Sequence, residues 1–278
     1  MSELNEINTH IEELRKRVVR SIISILVITV FILTFHATPF DVMGVTLYYP
    51  YPEPLDNIAA QFTNVMRGEL VPEGVQLIQT APGQAFFSQV YIAALIGIVL
   101  SIPIIVREFI SFLKPALKER EIHVGRSITL PAIGLFITGC AFSYAAVIPF
   151  ILDFLYRYGE SAGLVTFLNI MDFVTFVLQF LLAFGISFQL PLIMYAVSLS
   201  GLVDAKFWRR NMRYAIIAII VFGAVITPDG SGVTMWFVSL PMIALYFAGM
   251  FVAERQERQT IKTSVSYTHL TLPTIYSV

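Results

Sequence analysis

The stretch AFFSQVYIAALIGIVLSIPIIV, residues 85–106, runs for 22 residues without a charged side chain or a histidine. An α-helix needs about 20 such residues to cross the hydrocarbon part of a bilayer. Further apolar runs cover residues 18–35, 127–152, 173–199, 214–228 and 233–253. The whole chain is 56% hydrophobic and 13% charged, with a mean hydropathy of +0.75, which is far from the composition of a soluble domain. The sequence therefore predicts an all-α, polytopic membrane protein with six transmembrane helices.

The basic residues predict which way these helices run. Of the 18 Lys and Arg residues, 16 lie in the N-terminal segment, the second and fourth connections and the C-terminal tail, and only Arg67 and Arg157 lie in the remaining connections. Because basic residues stay on the cytoplasmic side, both termini are expected in the cytoplasm, with the spans in the cytoplasmic (plasma) membrane. We expect the first span to be retained, since acidic residues precede it and no clear cleavage site follows it.

These assignments divide the chain into three parts. Residues 1–17 form a cytoplasmic amphipathic segment, residues 18–254 form one six-span membrane domain, and residues 255–278 form a cytoplasmic tail. The last part of the tail, about 264–278, changes abruptly in composition and resembles translated sequencing-adapter read-through, so we expect it to be non-native.

Prolines and the length of one run predict the shape of the spans. Five prolines lie in or at the ends of spans, where each removes a backbone donor and bends the helix: Pro103, Pro131, Pro149, Pro191 and Pro241. The fifth run, 214–228, has 15 residues and reaches about 22 Å as a helix, against about 30 Å of hydrocarbon. Either the bilayer thins around this span, or the polar groups at its ends extend to the interfaces.

The two longest connections differ in character. The first outer connection, 38–83, contains YYPYPEPL, in which prolines alternating with aromatics favour extended structure, and we interpret this connection as a lid or brace. The second inner connection, REFISFLKPALKEREIHVGR (107–126), is amphipathic, and Pro115 is expected to divide it into two short interfacial helices.

Charged residues crowd the edge of the first span, in HIEELRKRVVR (10–20). Glu12 and Lys16, like Glu13 and Arg17, are four residues apart, so each couple could form an ordinary helix salt bridge. Glu121 has a similar interfacial position on the same side of the membrane. Two carboxylates at one edge could instead bind a cationic ligand, and both interpretations remain open at this point.

Four motifs, in this order and on these spans, resemble the TatC family: HIEELRKRVV, FLKPALKERE, AFGISFQLPL and VITPD. That family is the polytopic core of the twin-arginine, Sec-independent protein translocase, and the similarity covers the chain from about His10 to Glu254. The resemblance implies a receptor that binds paired-arginine signal peptides of folded precursors for export. It implies these signal-binding positions: Glu13, Arg15, Arg17, Phe112, Pro115 and Glu121.

The resemblance also implies protein partners and exposes one departure. The expected partners are single-span proteins of the TatA and TatB types, in a hetero-oligomer within the lipid bilayer. The family usually has a glutamate where this chain has Gln189, just before Pro191, so the amide is expected either to bond a partner helix or to bond a backbone carbonyl that Pro191 frees. Asp229 matches an acidic position at the outer end of the fifth span, although it could equally be a turn residue.

Other classes of protein fit less well. A secondary transporter of small solutes, built from proline-broken helices, is the alternative function, but the six runs contain no charged residue apart from Arg20. An enzyme would need a nucleophile with a base, or a metal cluster. The spacing of His10, Glu6 and Glu13 is explained better by an exposed amphipathic face. We expect no catalysis, no cofactor, no metal and no nucleic acid.

Overall fold

The computed structural model describes residues 2–42, 45–72, 75–113, 122–199, 203–227 and 231–270. Five of its helices are long and apolar enough to cross a membrane, and a shorter apolar helix, Met212–Ile226, lies between the last two of them. These six helices coincide with the six apolar runs, so the predicted fold class is confirmed.

The helices and strands follow one another in a simple order. The helices are α1 (Ser2–Thr34), α2 (Ile58–Leu70), α3 (Gln84–Leu113), α4 (Ile122–Phe142), α5 (Ile148–Ser161), α6 (Ile170–Ser187), α7 (Leu190–Leu199), α8 (Ala205–Arg210), α9 (Met212–Ile226) and α10 (Gly232–Leu270). The strands are β1 (Phe35–Val42), β2 (Val45–Pro52), β3 (Gln76–Ile78) and β4 (Phe167–Asn169). The amphipathic segment and the first span thus form one unbroken helix, α1.

The chain forms two compact units, and the first extends to Ile186. Within it α1 packs along α3, where Gly97 makes a close approach possible. A Cβ at Gly97 would lie 2.5 Å from the Thr29 hydroxyl and 3.1 Å from the Ile25 carbonyl oxygen. The largest buried side chains of α6, Phe173, Phe180 and Phe184, complete the core of this unit. Small residues are needed at such contacts because lipid supplies no hydrophobic force to hold helices together.

The second unit begins at Ser187 and contains α7 to α10. A Cβ at Gly249 of α10 would lie 2.6 Å from the Met194 sulfur and 2.9 Å from the Pro191 Cα atom, both in α7. A Cβ at Gly223 of α9 would likewise overlap the Ser239 hydroxyl of α10. Helix α10 therefore packs against both neighbours at points where one residue has no side chain.

Two of the five span prolines interrupt their helices. Pro149 follows a π-helical turn, Ser143–Val147, which accommodates the carbonyl that the proline cannot bond. Pro191 is the second residue of α7, directly after the gap at 188–189, a position where its missing N–H costs no hydrogen bond because the first-turn donors of a helix have no intrahelical partner. The other three, Pro103, Pro131 and Pro241, lie inside continuous helices.

The first outer connection is more ordered than the sequence indicated. The predicted extended structure is confirmed, because YYPYP lies in β2, which pairs antiparallel with β1. Helix α2 was missed. Its N-terminal signal was present in Asn57, which accepts a hydrogen bond from the Ala60 amide at 3.0 Å and donates another to Gln89.

A second small sheet joins the two outer connections of the first unit. Strand β3 pairs in parallel with β4, and the paired residues Gln76 and Phe167 are 91 positions apart in the chain. Beside it the Asn169 amide donates hydrogen bonds to Thr80 and Gln84. The interpretation of the first connection as a lid or brace stays a prediction.

The second inner connection differs from the prediction in its first half. The segment before Pro115 is not a separate short helix but the last two turns of α3, which continues without a break to Leu113. The physical reason is that nothing between Arg107 and Leu113 breaks a helix, and a proline restricts only the residue directly before it. The second half, 114–121, lies outside the described residues.

Candidate functional site

The start of the apolar part of α1 and the end of α3 meet, on the side that the sequence predicts to be cytoplasmic, in a cluster of charged side chains, which we call the inner charge cluster: Glu13, Arg17, Arg20 and Glu108. Positions 13, 17 and 20 are four and three residues apart, so they lie on one face of α1. Arg17 forms an ion pair with Glu13 on its own helix, and its Nη1 atom lies 3.3 Å from Glu108 Oε2 of α3. Two carboxylates from two helices therefore converge on one guanidinium.

Glu108 is the member that the sequence analysis missed. Its side chain is only 12% exposed, and the same Oε2 atom lies 3.6 Å from the Nη1 atom of Arg20. A carboxylate so far removed from water needs compensating charges, and the two arginines supply them. The available signal was local: Glu108 is the first acidic residue after the run 85–106, at the same edge as the basic residues of α1.

One buried nitrogen atom of Arg17 has no hydrogen-bond partner in the described part of the chain. The Nη atoms of this side chain contact the two carboxylates, and the atom without a partner is Nε. An unsatisfied buried N–H carries a cost, and an acceptor oxygen from a bound molecule would remove it. The cluster thus contains two carboxylates for a cation and a buried N–H for a carbonyl.

The structure places the predicted signal-binding residues unevenly. It brings Glu13 and Arg17 together, and it leaves Arg15 exposed on another side of α1. Phe112 lies in the last turn of α3, Pro115 and Glu121 lie outside the described residues, and these assignments stay predictions.

The ordinary salt bridges that the helix spacing allowed are present only in part. Glu13 and Arg17 do form their pair, which now belongs to a larger network. Glu12 and Lys16 are both exposed, and within the described residues they form no ion pair with each other. Glu12 therefore provides a nearby carboxylate outside the cluster.

The second predicted contact, around Gln189, lies at the junction of α6 and α7. Gln189 is half-buried, and its backbone carbonyl accepts a hydrogen bond from the Ile193 amide at 2.9 Å, which starts α7. The close approach of Gly249 to Pro191 holds α10 against this junction. Both roles proposed for the Gln189 amide remain open, and Asp229 lies outside the described residues.

These features define a class: a multi-pass helical membrane protein with a charged cluster where the second apolar helix meets the N-terminal one. A family model described as Sec-independent protein translocase protein (TatC) matches residues 9–241. The chain therefore belongs to the TatC family.

Individual relatives agree with this assignment. The chain is 66% identical to the Sec-independent protein translocase protein TatC of Cenarchaeum symbiosum (strain A), over 93% of this chain and 98% of that protein. It is 28% identical to the TatC of Aquifex aeolicus (strain VF5), over 90% of this chain and 95% of that protein. A solved structure described as "Crystal Structure of Twin Arginine Translocase Receptor- TatC" superposes with a TM-score of 0.73 at 26% identity, covering 88% of this chain and 98% of the other.

The family sets the function at a coarse level. The protein is a receptor subunit of the twin-arginine, Sec-independent translocase, and its role is protein transport. The alternative of a small-solute transporter gains no support from these similarities.

Proposed function

We propose that the protein binds paired-arginine signal peptides at the inner ends of α1 and α3, through Glu13, Glu108 and the predicted residue Glu121. The observation that carries this proposal is the convergence of Glu13 and Glu108 on the Arg17 guanidinium. Carboxylates that already hold one guanidinium are placed to hold another of the same geometry. Arginine suits them better than lysine because its planar group offers parallel donors.

Binding would proceed by exchange. In the unliganded protein, Arg17 and Arg20 satisfy Glu108, so that its carboxylate does not stay buried without a counter-charge. An incoming signal arginine takes the place of one of them, and the released side chain extends into water. The Arg17 Nε–H then donates a hydrogen bond to a backbone carbonyl oxygen of the signal, so that an arginine of the receptor also contributes to binding a cationic ligand.

The remaining members of the site are taken from the resemblance. Arg15, Phe112 and Pro115 would line the path of the signal beside the cluster. The protein would work in the cytoplasmic membrane with both termini in the cytoplasm, without a catalytic step or a cofactor. Its partners would be TatA- and TatB-type single-span proteins, whose helices would contact the region of Gln189 and Pro191.

The test is a titration of a paired-arginine signal peptide against the full chain in detergent. A charge-assisted hydrogen bond contributes about 1.5 to 3 kcal/mol, so Glu13→Ala and Glu121→Ala should each lower the affinity about ten- to hundredfold. The two losses should not add in the double variant, because both carboxylates serve one ligand. A paired-lysine peptide should bind the wild type more weakly, and the preference for arginine should shrink in each variant.

Glu12→Ala is the matched control, since it removes an exposed carboxylate one residue away from Glu13. It should change the affinity little. Wild-type affinity for the arginine peptide in both Glu13→Ala and Glu121→Ala would show that these glutamates are only interfacial salt bridges.

A further inference from the structure

The hairpin of β1 and β2 presents an aromatic face that is about half exposed away from its base. Paired and alternate residues share a face, which places His36, Thr38 and Phe40 of β1 beside Leu47, Tyr49 and Tyr51 of β2. The four large side chains of this group, Phe40, Leu47, Tyr49 and Tyr51, are each 47–57% exposed. The rings of Phe40 and Tyr49 pack edge to face at 6.4 Å, so the face is an ordered surface.

The base of the hairpin is held firmly. Strand β1 begins at the residue after α1 ends, and the Glu53 amide donates to the Thr34 carbonyl at 3.0 Å, which closes the base. The Gln61 amide of α2 bonds both backbone groups of Ala37, and its Nε2 atom lies 3.0 Å from His36 Nε2. The aromatic face therefore has a defined position at the outer end of the first span.

Both edges of the hairpin offer few free backbone donors to a further strand. Prolines at 39 and 50 lack N–H groups, so the pairs Pro39↔Tyr48 and Ala37↔Pro50 are the non-bonded pairs whose backbone groups point outward. On the β1 edge the Gln61 side chain already bonds the backbone N–H and C=O of Ala37. On the β2 edge Pro50 and Pro52 have no N–H to donate. A partner strand would therefore meet few free donors at either edge, and the face of the hairpin is the larger available surface.

The composition of the hairpin matches one kind of surface. Residues 35–52 contain no Lys or Arg and one acidic residue, Asp41, while aromatic and aliphatic side chains dominate the exposed face. Tyrosine and other amphipathic rings concentrate where a bilayer meets water. The strand also leaves a membrane-spanning helix without an intervening residue, so the hairpin starts at that boundary.

We infer that the face formed by Phe40, Leu47, Tyr49 and Tyr51 lies in the headgroup region of the outer lipid leaflet and anchors the outer connection to the membrane. The occupant of this face is phospholipid, not a second protein. The opposite face, which carries Tyr48, is turned to water.

The experiment places an environment-sensitive NBD fluorophore on single cysteines in a Cys140→Ser background. The sites are Phe40→Cys and Tyr49→Cys on the proposed lipid face, and Tyr48→Cys on the opposite face. Leu100→Cys, at an exposed position within the run 85–106 and six residues from its end, serves as the deep-lipid reference, and Lys206→Cys in α8 serves as the water reference. The full chain is reconstituted in phosphatidylcholine vesicles that carry a nitroxide either near the headgroup or near the acyl-chain end.

At positions 40 and 49 we expect blue-shifted emission and several-fold stronger quenching by the headgroup nitroxide than by the chain-end nitroxide. Position 100 should show the reverse order of quenching, and positions 48 and 206 should emit as in water. Water-like emission at both 40 and 49 would overturn the inference. Blue-shifted emission that neither nitroxide quenches, and that grows with the protein-to-lipid ratio, would overturn it too, because it would assign the face to a protein contact. Two separate positions on the same face keep the test informative if one variant fails to fold.

Discussion

Glu108 and Glu13 differ in how much of each carboxylate water can reach. The Glu108 side chain is 12% exposed and the Glu13 side chain 37% exposed, although both contact the Arg17 guanidinium. Water screens the ion pair of the more exposed Glu13 and weakens it. The more buried Glu108 has lost most of its hydration, so its carboxylate needs charged partners to offset that loss. At the scale of single residues, Glu108 should therefore matter to the inner charge cluster at least as much as Glu13.

This difference gives a prediction for Glu108→Gln, which removes the charge and keeps the shape. If Glu108 accepts a signal arginine, the variant should bind the paired-arginine peptide about tenfold more weakly, the equivalent of about 1.4 kcal/mol. Peptide titration measures this, with a thermal melt to check that the variant is folded. Glu69→Gln is the control, because Glu69 is a glutamate of α2 bonded to Tyr144, outside the cluster. Unchanged affinity in Glu108→Gln would remove Glu108 from the site.

Gln189 gives a second prediction at this scale. An amide supplies hydrogen bonds without charge, so Gln189→Leu should lower crosslinking to a single-span partner, whereas Gln189→Glu, the residue usual in the family, should be tolerated. The crosslinking yield of each variant, normalised to the amount of inserted protein, measures the effect. Equal yields would assign Gln189 to the local backbone beside Pro191.

At the scale of elements, α9 is the exceptional span. Its 15 residues reach about 22 Å, while the other five membrane-spanning segments, two of which each combine two successive helices, hold 24–32 residues. Buried Ile219 and Gly223 fix its packing within the second unit, and Gly223 brings it close to Ser239 of α10. Because these contacts hold α9 in place, its short length leaves a mismatch with the hydrocarbon thickness. Either the bilayer thins around α9, or polar groups at its ends extend to the interfaces.

Adding four leucines after Ile226 separates these alternatives. The insertion lengthens α9 by about 6 Å, to near the usual hydrocarbon thickness, and leaves the contacts of Gly223 in register. If the short span thins the bilayer for transport, export of a signal-bearing precursor should cease while membrane insertion stays intact. The same four leucines after Lys262, beyond the apolar part of α10, should leave export unchanged. Normal export from the lengthened α9 would exclude thinning from the mechanism.

At the scale of the whole molecule, the distribution of charge predicts a membrane side for every connection. Lys206, Arg209, Arg210 and Arg213 surround the start of α9, and Arg209 is tied to Glu254 of α10 at 2.8 Å. The outer connections contain two basic residues in all. Such an imbalance predicts both termini in the cytoplasm.

Labelling of single cysteines in intact cells tests this orientation. In a Cys140→Ser background, Leu55→Cys and Leu164→Cys should react with a membrane-impermeant maleimide, because both residues are exposed in outer connections. Lys206→Cys should react only after the membrane is opened. The opposite pattern would reverse the topology.

Local sequence patterns were enough to predict the membrane spans and the protein family. Each apolar run is a property of neighbouring residues, so the six helices, the extended YYPYP strand and the short α9 could be predicted from composition and length. The TatC motifs are also local, and they pointed to Glu13 and Arg17 before any contact was known. The bilayer requires each spanning segment to be apolar and helical by itself, so the spans can be predicted without knowledge of any tertiary contact.

Only the tertiary structure decided which charges meet. Arg17 and Glu108 are 91 residues apart, and their contact depends on how α1 is rotated against α3, which the Gly97 approach to Thr29 sets. The scarcity of free donors at the edges of the outer hairpin likewise depends on which residue of β1 faces which residue of β2. A sequence pattern specifies the apolar face of one element, but the packing of several elements determines the register and rotation that bring two polar groups together.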